Sequence, residues 1–111
     1  MRYVLVDGVE IKVFDTLDEL GCYIEPPEVI EGLFKVFDSA GCKYILNADI
    51  ALSGGFLGVF KTKTEYVKIT KGTQQGGDTV ELKKHLAEYL DIVKKAYDET
   101  MTIDELIDLA E

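Results

Sequence analysis

The sequence predicts an α+β fold, an antiparallel sheet of about five to six strands with a long amphipathic helix on one face. Three observations predict it. Residues 3–14 read as two short apolar segments around a glycine turn. The middle of the chain continues as strand-like segments separated by turn residues. The last third changes to helical spacing. At 111 residues the whole chain, 1–111, is read as a single domain.

Tyr3–Val6 and Val9–Phe14 flank Asp7-Gly8, a strong two-residue hairpin signal. Pairing Val6 with Val9 sets Val4 opposite Ile11. Val4, Val6, Val9, Ile11 and Val13 then share a buried face, with Tyr3, Leu5, Glu10 and Lys12 on the other. Thr16 followed by Glu19 is a capping box, which predicts a short helix over 16–21 ending at Gly21. Pro26-Pro27 keeps the residues before it extended.

Residues 28–46 carry two competing patterns. Val29, Ile30, Leu33, Phe34 and Phe37 recur at helical spacing. Gly32 interrupts them, and Asp38-Ser39-Ala40-Gly41 has the composition of a type I turn. The hairpin Leu33–Phe37 against Cys42–Leu46 is preferred. Ser53-Gly54-Gly55 then links strand 44–52 to 56–61, and Thr62-Lys63-Thr64 links that to 65–70, giving a meander over 33–70. Residues 71–77 form a polar loop. Asp78 and Glu81 open the long helix, 79–97, whose stripe is Leu82, Leu86, Leu90, Val93 and Tyr97. Thr102 and Glu105 cap a last helix over 102–110, with Ile103, Leu106, Ile107 and Ala110 inward. The sheet's inner face is expected to be Val4, Val6, Ile11, Val13, Val59, Val67 and Ile69, meeting Leu82, Leu86, Leu90 and Val93.

Val13-Phe14-Asp15-Thr16-Leu17-Asp18-Glu19, then Tyr23-Ile24-Glu25-Pro26, Glu28-Val29, Gly32 and Val36-Phe37-Asp38-Ser39-Ala40-Gly41 form a recurring order. In this order the chain resembles a group of small uncharacterised bacterial proteins. They carry an EP-x-D/E-V stretch followed by a Y/F-D-x-x-G hairpin. The resemblance spans roughly residues 13–46. It implies the hairpin rather than the helix there, and it brings no catalytic residue. Members often have aspartate in place of Glu28 and tyrosine in place of Phe37.

Charge narrows the function classes. The net charge is −9, which disfavours nucleic acid and anionic membrane as partners. The charge is uneven: residues 1–40 balance to −6, 41–78 to +2 and 79–111 to −5. No apolar run reaches the roughly 18–20 residues of a membrane span, and Asp7 interrupts the N-terminal apolar run. A cytoplasmic location is expected. Cys22 and Cys42 stand without a CxxC pair and with one histidine, His85, so neither a zinc site nor any other cofactor is expected. Both cysteines read as buried or half-buried, and His85 as a structural residue on the border of the helix stripe.

Other motifs fall short of chemistry. Gly72 to Gly77 precedes a helix, but Asp78-Thr79 stands where a phosphate loop needs Lys-Ser/Thr. Lys61, Lys63, Lys68 and Lys71 interleave with Phe60 and Tyr66, a pattern that also guards an edge strand. Acidity remains the leading clue. The expected function is a non-catalytic acidic protein-binding module, an immunity-type inhibitor of a basic bacterial toxin or nuclease. Two candidate contact surfaces follow: Glu25, Glu28, Glu31 and Asp38 at the proline corner and hairpin, and Glu88, Asp91, Asp98 and Glu99 at the helix end. One alternative is a homodimeric accessory protein using Tyr3, Phe14 and Tyr66. Another is a small enzyme or ligand-binding domain whose sheet–helix cleft brings Cys22 or Cys42 beside His85.

Overall fold

Strands β1 (Tyr3–Asp7) and β2 (Glu10–Phe14) pair antiparallel with Val4 opposite Val13 and Val6 opposite Ile11. The computed structural model describes residues 1–24, 34–53 and 62–111. The hairpin register is two residues away from the expected one. A two-residue shift keeps every side chain on its face, so Val4, Val6, Ile11 and Val13 still point together. The turn residues are Gly8 and Val9, closed by Asp7 opposite Glu10. Gly8 has φ +61 at the first loop position, where a type II′ turn needs glycine. Val9 leaves the expected buried face and is 57% exposed.

Helix α1 (Leu17–Tyr23) starts at Thr16, whose hydroxyl accepts from the Glu19 backbone N–H at 3.1 Å. It runs through Gly21 rather than stopping there. A Cβ on Gly21 would meet Ile69 at 3.6 Å, an ordinary contact, so the position faces the sheet without requiring glycine. Strand β3 (Phe34–Asp38) pairs with β1 on one side and β4 (Lys43–Ser53) on the other. The hairpin reading of this region is therefore the observed one. Gly41, at φ +88, closes the turn, and its N–H donates to the Asp38 carbonyl. Strand β5 (Thr62–Lys71) pairs with β4 from Tyr44 opposite Lys71 to Ser53 opposite Thr62. Thr62-Lys63-Thr64 is thus strand, not a link; the expected strand 56–61 lies outside the described residues. Among the described residues the sheet is antiparallel and five-stranded, in the order β2-β1-β3-β4-β5.

Helix α2 (Gly76–Ile92) begins one turn earlier than expected, because Gln75 and Asp78 form the capping box. It ends five residues earlier, at a Schellman turn. Lys94 sits at φ +56, its N–H donates to the Asp91 carbonyl, and the Lys95 N–H donates to the Leu90 carbonyl at 3.0 Å. Val93 falls outside the core at 38% exposed, and Tyr97 lies beyond the helix. Helix α3 (Ile103–Ala110) has the expected Thr102–Glu105 capping box.

The sheet has a core on each face. On one side Val4, Val6, Ile11 and Phe37 meet Leu82, Leu86, Leu90, Leu106 and Ile107 from α2 and α3. On the other, Leu5, Val36 and Tyr44 meet Leu20 and Ile24. Val67 and Ile69 belong to this second core, not to the face under α2 as expected, because β5 presents them on the α1 side. Val59 lies outside the described residues. Arg2 ties the start of β1 to α3 through Asp104 at 3.0 Å, Asp108, and Glu111 at 3.7 Å.

Candidate functional site

The proline-corner surface is not assembled by the described residues. Glu25, Glu28 and Glu31 lie outside them. Asp38 is fully buried, which corrects its expected place on a contact surface. Its Oδ1 accepts from the backbone N–H groups of Ala40 at 2.9 Å and Cys42 at 3.0 Å. Its Oδ2 accepts from the Tyr44 hydroxyl at 3.1 Å. Burial first, and the Asp38 bond second, hold the Tyr44 pKa well above the usual phenol range. Asp38 is the knot of the β3–β4 hairpin: its charge is consumed by three donors and reaches no partner.

The helix-end surface is assembled. The Schellman turn reverses the chain after α2 and brings residues 97–99 back beside the helix. The Tyr97 hydroxyl donates to Asp91 at 3.0 Å. That bond first, then partial desolvation and the charges of Asp91 and Glu99, raise the Tyr97 pKa. The bond holds the returning loop, with Asp98 and Glu99, beside the helix end that carries Asp91. Asp98 accepts from the Thr100 N–H at 2.8 Å and from its hydroxyl, which hold the Asp98 carboxyl below its usual pKa. Glu88, Asp91, Asp98 and Glu99 are all exposed. Glu88 stands one turn before Asp91, on the same side of the helix. A groove of about 220 Å³ is lined by Asp98 and Glu99 together with Lys83, Lys84, Ala87, Tyr97 and Leu106.

Sequence reasoning missed a charged cluster between α2 and the sheet. Register puts Lys35, Phe37 and Lys43 on the α2 face. Glu81 accepts from Lys35 at 2.8 Å and from Lys43 at 3.0 Å. The Lys35 bond first, then the Lys43 bond and charge, against an opposing burial effect, lower the Glu81 pKa to about 2. In the sequence Glu81 reads as a capping residue; once the hairpin register was known, the alternation Lys35-Phe37 would have signalled lysines facing a helix. His85 is half-buried, with Nε2 at 3.6 Å from Glu81 Oε1 and no hydrogen-bond partner. Its ring lies 6.2 Å from that of Phe37.

The cysteine–histidine cleft does not form. Cys42 is buried in the α1-side core, its thiol 3.2 Å from the Gly72 carbonyl. Cys22 is exposed, contrary to expectation, in a groove of about 490 Å³ shared with Asp18, Tyr66 and Ile69. Both belong to the α1 side of the sheet, whereas His85 sits against Phe37 on the α2 side. Of the aromatics expected to mediate association, Tyr3 and Phe14 pack on the α1-side core and Tyr66 is 40% exposed. Among the described residues no group of three or more His, Cys, Asp or Glu could hold a metal ion, and no helix is long and apolar enough to cross a membrane. The chain matches no family model, no curated protein and no solved structure.

Proposed function

We propose that this protein is an acidic protein-binding module, acting as an immunity-type inhibitor of a basic bacterial toxin or nuclease. The carrying observation is the Tyr97–Asp91 bond at 3.0 Å, which ties the returning loop with Asp98 and Glu99 to the end of the helix. Glu88 and Asp98 extend the same acidic surface. Carboxylates in this arrangement can occupy positions on a basic protein that substrate phosphates would otherwise take. The Schellman turn and the Asp98–Thr100 bonds hold the loop in place before a partner arrives, which lowers the ordering cost of binding. Complementary charge also raises the association rate.

The test is capture from a native lysate at low salt, with elution by a salt gradient. The variant Glu88→Lys/Glu99→Lys runs beside the natural chain. It leaves the Tyr97–Asp91 and Asp98–Thr100 bonds untouched, so it probes charge rather than folding. A second variant reverses Glu25, Glu28 and Glu31. A basic protein held by the natural chain and lost by the helix-end variant is the expected result. Equal capture by all three chains refutes the proposal.

A further inference from the structure

Strand β2 stands at one end of the sheet order, and among the described residues only β1 pairs with it. The ladders fix where its free backbone groups point. The Ser39 N–H donates to the Arg2 carbonyl, which places Arg2, Val4 and Val6 among the residues bonded toward β3. Tyr3, Leu5 and Asp7 therefore bond toward β2, at Phe14, Lys12 and Glu10. Ile11 and Val13 alternate with these residues, so their N–H and C=O groups point away from β1, as does the Val9 carbonyl. Among the described residues nothing hydrogen bonds to these outward groups. Such an edge is a template for a further strand.

A groove of about 570 Å³ lies against this edge, lined by Lys12, Val13, Phe14, Tyr23, Ala110 and Glu111. Tyr23 packs on Phe14 on the α1 face, and Ala110 belongs to the core on the α2 face, so the two walls leave the strand edge open between them. Val9, in the turn that precedes β2, is 57% exposed.

Two-fold antiparallel pairing through the outward groups can centre on Ile11, Lys12 or Val13. Centring on Lys12 sets that lysine opposite its own copy, like charge against like. Centring on Val13 sets Lys12 opposite Phe14 and leaves Glu10 without a cation. Centring on Ile11 sets Glu10 opposite Lys12 on both sides of the axis, and it brings each Val9 to the other copy's Val13, beside the groove. The stretch Glu10-Ile11-Lys12 is its own complement when reversed, which selects a second copy as the occupant of the edge.

We infer that β2 pairs with the β2 of a second copy of this chain, centred on Ile11, to join two sheets into one. The two Ile11 residues exchange both of their bonds, and each Val13 N–H donates to the Val9 carbonyl across the axis. Lys12, whose ammonium lies 4.4 Å from the Tyr23 ring, faces Glu10 of the second copy. The same patch is used on both copies, so the assembly closes as a dimer. The other charged groups near the edge, Asp7, Asp15 and Glu111, are acidic, and each chain carries −9. Long-range repulsion therefore opposes the contact, and added salt is expected to strengthen it. This inference does not depend on the inhibitor reading, since it concerns the purified chain alone.

The test is sedimentation equilibrium at moderate salt on the natural chain, Glu10→Lys, Lys12→Glu and the exchanged variant Glu10→Lys/Lys12→Glu. Glu10 is exposed and stands opposite Asp7 in its own hairpin, so lysine suits the fold there, and circular dichroism checks that every chain is folded. Glu10→Lys makes the chain less negative, so general repulsion alone would tighten its association. The register demands the opposite: lysine meets lysine at both pairs, and the dimer is expected to dissociate at least about tenfold more readily. The exchanged variant, and an equimolar mixture of the two single variants, set opposite charges against each other again and are expected to recover the dimer. An isotope-filtered NMR experiment on a mixed-label sample is expected to show contact between the Hα atoms of Glu10 and Lys12 in different copies; within one strand those residues are about 7 Å apart. A natural chain that stays monomeric, Glu10→Lys that associates as tightly as the natural chain, failure of both the exchanged variant and the mixture to recover it, or a dimer without that contact would each overturn the inference.

Discussion

Glu81→Gln should remove a pH-dependent clamp between α2 and the sheet. The carboxylate is 27% exposed and accepts from Lys35 and Lys43. Its pKa falls from 4.5 to about 2, with the Lys35 bond as the leading cause. At about 1.4 kcal/mol per decade of proton affinity, that drop corresponds to about 3 kcal/mol. The lysine side chains are 42% and 38% exposed, so solvent screens the pairs, and about 1.5 kcal/mol is the expected loss at pH 7. The folded carboxyl binds its proton less tightly than the unfolded one. Its stabilisation is therefore complete above about pH 4.5 and fades as the pH falls toward 2. Urea unfolding of the natural chain and the variant across that range isolates this group, because the other carboxylates titrate alike in both. The difference between the two should shrink steadily below pH 4.5. Equal stability at pH 7, or a difference that persists unchanged to pH 2, would refute the reasoning.

Three further changes probe the frame. Asp38→Ala strands the Ala40 and Cys42 N–H groups and the Tyr44 hydroxyl, and should cost about 3 kcal/mol in chemical unfolding. Asp38→Asn keeps an acceptor for the two N–H groups and should cost less than half as much; equal losses would show that charge, not hydrogen bonding, holds the hairpin. Lys94→Gly relieves a left-handed residue at φ +56 and should raise stability by about 1 kcal/mol; a fall would mean that the Lys94 side chain contributes more than its backbone strain costs. His85→Leu removes a buried nitrogen without a hydrogen-bond partner and should be within about 1 kcal/mol of neutral. A loss above about 2 kcal/mol in thermal or urea unfolding would instead assign the imidazole a structural bond.

The fold was legible where local chemistry decides. Thr16, Thr102 and the Asp38–Gly41 turn each act within a few residues, and each stands where the sequence placed it. The end of α2 was not legible, because a lysine occupies the left-handed position that glycine usually marks. The second core was legible in principle. Tyr3-Val4-Leu5-Val6 is a continuous apolar run, the mark of a strand covered on both faces, and Leu5 is indeed fully buried against the α1 side. Reading it as an alternating strand put Val67 and Ile69 under the wrong helix. At the candidate site, counting acids could not separate Asp38, which hydrogen bonds to its own hairpin, from Asp91, which faces solvent. The Glu81 cluster depends on lysines 46 and 38 residues away and appears only once strand register is known.

The central claim is that the helix-end carboxylates form the partner-binding surface. Its most direct test is the association rate of the captured basic partner with the natural chain and with Glu88→Lys/Glu99→Lys, measured across a salt series. The account predicts a rate at low salt lower by at least about tenfold in the variant, and a flatter dependence on salt. Identical rates and identical salt dependence would contradict it.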